Sequence, residues 1–215
     1  SPVFAAAAMS LSSVSVIGLN ANGALSLADH VVDTLDTRFQ GVQALATAQI
    51  GDRVFIIAGG GDEGLTVMTL TPEGRMINCG QMLNQPGLAL DNITAMTARV
   101  VDGKIDLFVT GEGTGITRLQ IDPGPLAPIQ SGTSESATLT GTTGSDMILG
   151  GDGAEVIEGD EGSDILADGG GIDTLFGGAG SDTFVLGRDD GLDVIADFQL
   201  GIDRIDLSAW GPIYS

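Results

Sequence analysis

Five acidic side chains recur every nine residues in the last third of the sequence. They are Asp146, Glu155, Asp164, Asp173 and Asp182, and each acid has a glycine two residues before it and a large apolar residue two residues after it. Carboxylates grouped in this way, without histidine or cysteine beside them, form oxygen-only sites, which suit hard cations that take six to eight oxygen ligands. Calcium fits such a site far better than magnesium or zinc does. The spacing therefore predicts calcium binding.

The same period predicts the elements that position these acids. From residue 141 onward, each group of nine places glycine fourth, the acid sixth and a large apolar residue eighth. The three residues around the apolar position predict a short strand, and the six before them predict a turn, because glycine tolerates positive φ and lets the backbone approach an ion. Two groups of nine make one coil, so the acids are expected to stack in two rows, one of Asp146, Asp164 and Asp182 and one of Glu155 and Asp173. Each gap between stacked turns then offers two carboxylates and several backbone carbonyls.

The groups of nine resemble the GGxGxDxUx nonapeptide of RTX (repeats-in-toxin) calcium-binding proteins. The segment after them, from Asp182 through Phe198 to Ser208, is similar to the capping region of serralysin-type C-terminal domains. This resemblance implies a parallel β-roll, several Ca²⁺ ions, calcium-dependent folding and export by the type I secretion machinery. It also implies that the ions are held by side chains or backbone carbonyls of the turns, at Asp146, Gly150, Asp152, Gly153, Glu155, Gly159, Glu161, Gly162, Asp164, Asp168, Gly170, Gly171, Asp173, Gly177, Ala179, Gly180, Asp182, Asp193 and Asp197.

Three features depart from the family pattern. Glu155 stands where the family has Asp, and Asp168 stands where the first glycine is usual. Two extra residues separate Asp182 from Asp193, so the sixth turn is expected to be irregular.

Acidic residues outnumber basic ones across the whole chain. Asp and Glu number 29 against 8 Lys and Arg, which gives a formal charge of -21 over 215 residues. A field this negative repels phosphate backbones and anionic lipids, so nucleic acid and membrane surfaces are not expected partners. Hydrophobic residues make up 42% of the chain, which favours a folded protein over an acidic disordered one. No apolar stretch approaches the ~20 residues of a membrane-spanning helix.

Catalysis within this sequence is not expected. The chain has one histidine, His30, and one cysteine, Cys79, and it contains neither an HExxH motif nor a GxSxG motif. Cys79 is expected to be a small buried hydrophobe. The alternative reading is that the sequence is the C-terminal part of a secreted RTX hydrolase whose catalytic domain lies upstream.

The part of the chain before the nonapeptides contains a longer repeat. Residues 42–70 align without gaps on residues 93–121 at an offset of 51, and a partial copy begins near Val14. Each unit holds short β-rich runs separated by Gly-Asp, Asp-Gly or Glu-Gly turns, which is typical of hairpins. A period of about 50 residues with four strands resembles the blades of a β-propeller, here an incomplete ring.

The sequence therefore predicts an all-β protein with two kinds of sheet. Residues 1–130 form antiparallel, propeller-like blades, 131–140 a linker, 141–185 the parallel β-roll and 186–215 its cap. We expect a secreted or cell-surface calcium-binding protein. Its blades would recognise a cell-surface or glycan ligand, mediate adhesion, or assemble with one another.

Overall fold

The protein is built almost entirely from β-strands. The computed structural model describes residues 3–9, 12–34, 37–88, 90–112 and 115–210. The chain divides into two units, Ser1–Asp122 and Pro123–Ser215. The described helical residues are one 3-10 turn, Ser208–Trp210. Antiparallel sheets in the first unit and a parallel roll in the second confirm the predicted fold class. Nowhere in the described ranges is there a helix with the length and apolarity to span a membrane.

The described residues of the first unit form three antiparallel meanders, in which each strand pairs with its neighbour in the chain. Sheet 1 contains β1 (Val3–Met9), β2 (Ser13–Leu19) and β3 (Leu25–Val32). Sheet 2 contains β4 (Ala44–Ile50), β5 (Arg53–Gly59), β6 (Gly64–Leu70) and β7 (Met76–Leu83). Sheet 3 contains β8 (Ala95–Val101), β9 (Lys104–Thr110) and β10 (Thr117–Ile121).

The sequence repeat is visible in the strand boundaries. Strands β2 and β6, β3 and β7, β4 and β8, and β5 and β9 each begin and end at the same offset of 51. The irregularity between Val16 and Ile17 in sheet 1 recurs between Val67 and Met68 in sheet 2, again at this offset. The three sheets are therefore copies of one meander. Propeller blades are not confirmed, because only sheet 2 has four strands in the described residues.

The sheets of the first unit are held together by apolar side chains on facing sides. Val14 and Val16 of β2 form one buried cluster with Ile56, Ala58 and Met68 of sheet 2. Successive side chains of a strand point to opposite faces, so the buried residues of β5 supply a core on both of its sides.

The prediction for Cys79 was wrong. The side chain is exposed on β7, because burial alternates along that strand beyond Ile77.

The second unit is a parallel roll of short strands. One sheet contains β11 (Gln130–Ser131), β13 (Met147–Leu149), β16 (Ile165–Ala167), β19 (Thr183–Val185) and β21 (Arg204–Asp206). The other contains β12 (Thr138–Thr140), β14 (Val156–Glu158), β17 (Thr174–Phe176) and β20 (Val194–Ile195). Between them, β15 (Glu161–Gly162) pairs with β18 (Ala179–Gly180) at the turns. Paired residues in the regular coils are 18 apart, for example Met147 and Ile165.

The core of the roll is a column of the eighth-position residues. Ile148, Ile157, Leu166, Leu175 and Phe184 are all fully buried and form one cluster. Each coil contributes two of them from opposite walls, because the two strands of a coil belong to different sheets. The Phe184 ring also meets the Phe198 ring, with centroids 6.1 Å apart, so the cap extends the column.

The roll begins before the first regular nonapeptide. Strand β12, in the segment that the sequence assigns to a linker, pairs in parallel with β14, and β11 just before it pairs with β13. The reason is Leu139, which lies nine residues before Ile148 and packs against the same apolar column. Its turn lacks the sixth-position acid, which is Ala137 here. Residues 211–215 of the expected cap lie outside the described residues.

Candidate calcium sites

Three buried aspartates form one row along an edge of the roll. Asp146, Asp164 and Asp182 are each at most 1% exposed. The backbone N–H of Asp146 donates to Asp164 Oδ1 at 2.8 Å, and that of Asp164 donates to Asp182 Oδ1 at 3.0 Å. The parallel register of the strands positions each acid directly beside the next. The carboxylates of Asp164 and Asp182 are thus oriented by the coil that precedes each of them.

The second row repeats this arrangement on the other edge. The backbone N–H of Glu155 donates to Asp173 Oδ1 at 2.6 Å, and that of Asp173 donates to Asp193 Oδ1 at 3.0 Å. Glu155 and Asp173 are at most 2% exposed. The longer side chain of Glu155 is accommodated because its Oε2 accepts from the backbone N–H of Gly151 at 3.0 Å.

The same acids retain buried oxygens that make no hydrogen bond within the described part of the chain. These are Asp146 Oδ1, Glu155 Oε1, Asp173 Oδ2 and Asp182 Oδ2. Leaving a buried polar atom unsatisfied costs about 1–3 kcal/mol, and more when the group is charged. Four such oxygens, all on repeat-position acids, indicate that the turns are built to hold a cation.

Glycines bring backbone carbonyls up to these carboxylates. A Cβ added to Gly159 would lie 2.5 Å from Asp164 Oδ2 and 2.6 Å from the carbonyl oxygen of Gly177. A Cβ on Gly177 would clash with Asp182 Oδ2 in the same way, one coil further on. Stacked turns therefore leave room for carboxylate and carbonyl oxygens to converge, and a side chain would fill that room. These residues fit calcium, which is bound by carboxylates and carbonyls.

Backbone carbonyls are needed to complete such sites. In the described ranges, no three side chains of His, Cys, Asp or Glu are grouped closely enough to hold a metal ion between them. Repeated close approaches of one turn to the next supply the carbonyls. Gly162 O lies against Gly180, and Gly153 O lies against Gly171.

Burial raises the pKa of three acids in the turns of the roll, so their charged forms are disfavoured. Loss of hydration raises the pKa of Asp168 to about 6, against the backbone N–H groups of Gly187 and Gly169 that favour the anion. Burial also raises the pKa of Asp173, with the nearby charges of Glu155 and Asp193 adding to it, and raises the pKa of Asp182. A divalent cation relieves both causes, because it replaces water as a ligand and neutralises like charges.

The other predicted residues lie in four different settings. Asp197 accepts from the N–H groups of Gly177 and Gly178 at 2.8 and 2.9 Å, so it contacts the start of the turn that Asp182 ends. Asp152 and Glu161 are exposed, and their side chains do not join the rows. Ala179 has no ligating side chain, so only its backbone remains available. The predicted glycines all lie in the turns between strands or in the short turn strands: Gly150, Gly153, Gly159, Gly162, Gly170, Gly171, Gly177 and Gly180.

Sequence reasoning missed two acids that extend the rows. Asp203 Oδ1 accepts from the backbone N–H of Asp182 at 3.1 Å, which makes it the last member of the first row. Asp189 Oδ2 accepts from the backbone N–H of Gly171 at 3.0 Å. The period of 18 does not reach Asp203, because this acid follows Asp182 at a spacing of 21. The available signal was its position immediately before the strand Arg204–Asp206.

Comparison with known proteins agrees with this geometry. The family described as RTX calcium-binding nonapeptide repeat (4 copies) matches residues 131–166 and 158–192. Residues 131–192 are RTX calcium-binding nonapeptide repeats. RTX repeats bind Ca²⁺, are typically non-catalytic and are typical of extracellular proteins. No curated protein matches the chain.

Among solved structures, the chain is similar to the solution structure of the AlgE6R3 subunit from the Azotobacter vinelandii mannuronan C5-epimerase. The two are 44% identical over 36% of this chain, with a TM-score of 0.33. The match spans 48% of that subunit, which is less than half of its length.

Proposed function

We propose that the RTX roll is a calcium-dependent folding module, in which several Ca²⁺ ions bind between stacked turns. The observation that carries this proposal is the set of buried carboxylate oxygens of Asp146, Glu155, Asp173 and Asp182 that have no hydrogen-bond partner among the described residues. They lie where glycines admit backbone carbonyls, so each turn offers oxygens only. The proposed ligands are the turn residues given by the sequence, together with Asp189 and Asp203.

The chain's own residues explain why folding would depend on the ion. Without it, the rows bring like charges together in a dry interior, and the glycines keep a large conformational entropy in the unfolded chain. Bound calcium supplies the positive charge and the ligand bonds that offset these costs. Because the unfolded chain has no preformed site, binding free energy then becomes folding free energy.

This switch supports a role outside the cell. In a cytosol poor in free calcium the roll would remain unfolded, as passage through a type I secretion channel requires, and it would fold in extracellular calcium. The three antiparallel sheets would then serve recognition or adhesion. The loop-rich β architecture of the first unit supports this role, and the RTX match does not cover that unit.

The test is a titration of the full chain with calcium, followed by far-UV circular dichroism, with magnesium as the control ion. We expect β signal to be gained at about 0.1–1 mM calcium, the range of extracellular modules. The signal that persists under chelator would come from the first unit. A roll that is folded in chelator, with no bound metal by elemental analysis, would overturn the proposal.

A single substitution sharpens this experiment. Asp182→Asn removes a row carboxylate that is fully buried and whose Oδ2 lacks a partner in the described structure. We expect fewer bound ions and a higher calcium midpoint. Asp190→Asn, an exposed acid of the same unit, removes the same charge and should leave both values unchanged.

The proposed role is binding and not catalysis. Under the alternative, in which these repeats serve a secreted hydrolase, the catalytic residues belong to another part of the protein. Assay of this chain against ester, peptide and glycoside substrates tests the binding role, because turnover by these 215 residues would contradict it, whereas the alternative places turnover in another part of the protein.

A further inference from the structure

The repeat in the first unit allows equivalent faces of the three sheets to be compared. In sheet 1, Val14 and Val16 lie on the face that packs against sheet 2. Their equivalents at the offset of 51 are Leu65 and Val67 in sheet 2. We call this side the forward face of each sheet. It is the face that a sheet turns toward its successor.

The forward face of sheet 2 is apolar and covered. Ile56 and Ala58 face sheet 1, so their neighbours on the strand, Phe55 and Ile57, point toward sheet 3. Phe55 is 4% exposed and Ile57 is fully buried. Ala48 of β4, on the same face, is 7% exposed. Sheet 2 therefore packs against sheet 3 through an apolar surface made of both small and large side chains.

The forward face of sheet 3 carries charges at the equivalent positions. Asp106 replaces Phe55, Arg99 replaces Ala48 and Arg118 replaces Val67. The opposite face of β9 keeps the apolar pattern, with Ile105, Leu107 and Val109 all fully buried. Sheet 3 therefore offers an apolar packing surface to another sheet on one of its two faces only.

The charges on this face form a complete network. Arg118 Nη2 donates to both oxygens of Asp106 at 2.9 Å, and Arg99 Nη2 donates to Oδ2 at 3.1 Å. Gln120 Nε2 adds a bond to Oδ1 at 3.1 Å. Arg99 also lies 5.5 Å from the centre of the Phe108 ring. The Asp106 side chain is fully buried beneath arginine side chains that are 61% and 57% exposed.

Covering this face with another sheet would be costly. Asp106 is already satisfied, so a new sheet would gain no hydrogen bond from it. The two guanidinium groups would lose water, and desolvation of buried ions exceeds their mutual attraction unless every remaining donor finds a partner. Repeat proteins end in the same way, with a terminal unit that has a polar outer face.

We infer that sheet 3 is the closing sheet of an open array, and that its charged forward face prevents a further sheet, of this chain or of a second copy, from stacking there. A closed propeller ring would need the forward face of every sheet to bind a successor. The array therefore ends at sheet 3. This face of the first unit therefore does not bind a β-sheet of a partner.

The test restores to sheet 3 the residues that sheet 2 has at the same positions. The triple variant Arg99→Ala, Asp106→Phe and Arg118→Val is compared with wild type by sedimentation velocity in calcium, over a series of concentrations. We expect its weight-average mass to exceed that of wild type and to rise with concentration toward a doubling. The control Arg38→Ala with Arg188→Ala removes two arginines elsewhere and should sediment as wild type does.

A second measurement uses the unaltered protein, so the inference stays testable if the triple variant does not fold. Phenylglyoxal modification of Arg99 and Arg118, read by mass spectrometry, should proceed at a rate that is independent of protein concentration. Protection of both arginines as the concentration rises would show a covered face and overturn the inference. A folded triple variant with the mass of wild type would overturn it as well.

Discussion

At the scale of single residues, the glycines of the turns decide whether carboxylates and carbonyls can meet. Gly159 is the sharpest case, since both of the atoms nearest to an added Cβ are oxygens, one from Asp164 and one from Gly177. Gly170 lies in a neighbouring turn, and there the nearest atom to an added Cβ is 3.6 Å away. The two positions share a residue type but differ in the space around them.

Gly159→Ala is therefore expected to weaken the calcium-loaded roll, whereas Gly170→Ala is not. Forcing a methyl group into a filled site costs about 1–3 kcal/mol. The measurement is chemical denaturation in saturating calcium, together with the calcium midpoint for each variant. Equal stability of the two variants would show that the turn at Gly159 relaxes freely, contrary to the close approach seen here.

Residue types were the part of the site that the sequence predicted best. The period of nine identified the buried acids because glycine, acid and apolar residue repeat together. It did not predict which way each acid is oriented, since that depends on backbone N–H groups in the preceding coil. Nor did it predict that the side chains of Asp152 and Glu161 are exposed, because a position in a turn does not determine which way a side chain points.

At the scale of elements, the roll depends on a single column of apolar side chains. Its strands have only two or three residues, so each contributes one inward residue and few contacts beyond it. Leu166 is fully buried in the middle of this column, with Ile148 and Phe184 in the adjacent coils of the same sheet. A cavity there cannot be filled by neighbours that are fixed in register.

Leu166→Ala should destabilise the calcium-bound roll by about 2–5 kcal/mol, the usual cost of a large-to-small change in a core. Leu200→Ala is the matched control, because Leu200 is 93% exposed. A surface change of this kind stays within about 0.5 kcal/mol. Thermal unfolding in calcium, monitored by circular dichroism, measures both; similar losses for the two variants would contradict the single-column core.

The sequence predicted the strands of the roll but not where the roll begins. Leu139 continues the apolar column although its turn has neither the fourth glycine nor the acid. Packing alone thus extends the parallel sheets by one coil that the motif does not include. In the first unit the sequence predicted the repeat and three or four β-rich runs in each repeat, but not how many of these runs pair in each sheet, because pairing partners are set by tertiary contacts.

At the scale of the whole molecule, the shifted pKa values of buried acids make the stability of the two units depend on pH in opposite directions. Burial raises the pKa of Asp168 to about 6 and also raises the pKa of Asp173 and of Asp182. An acid with a raised folded pKa stabilises the fold below its ordinary pKa and loses that contribution as pH rises through the folded value. In the first unit, the hydrogen bond from Arg118 lowers the pKa of Asp106, which has the reverse effect.

In the presence of chelator, acidification from pH 7 to pH 4 should therefore increase the β signal of the roll. Protons would then partly replace calcium as the neutralising charge. In calcium titrations without chelator, the calcium midpoint should rise once pH falls below about 6, because protons then begin to compete with calcium at Asp168. Circular dichroism at a series of pH values tests both, and a calcium midpoint that is constant from pH 7 to pH 5 would contradict the assignment of Asp168 to the sites.

The rows of acids give the roll a direction. Each N–H in a row donates to a carboxylate that comes later in the chain, so every coil offers a ready acceptor to the coil before it. Asp203 ends the row without help from any later coil, since its second oxygen accepts from Gln199, four residues upstream in its own loop. The C-terminal coil can therefore fold first, and the coils before it can then stack on it one after another. A chain that emerges with its C-terminus first would deliver its coils in this order.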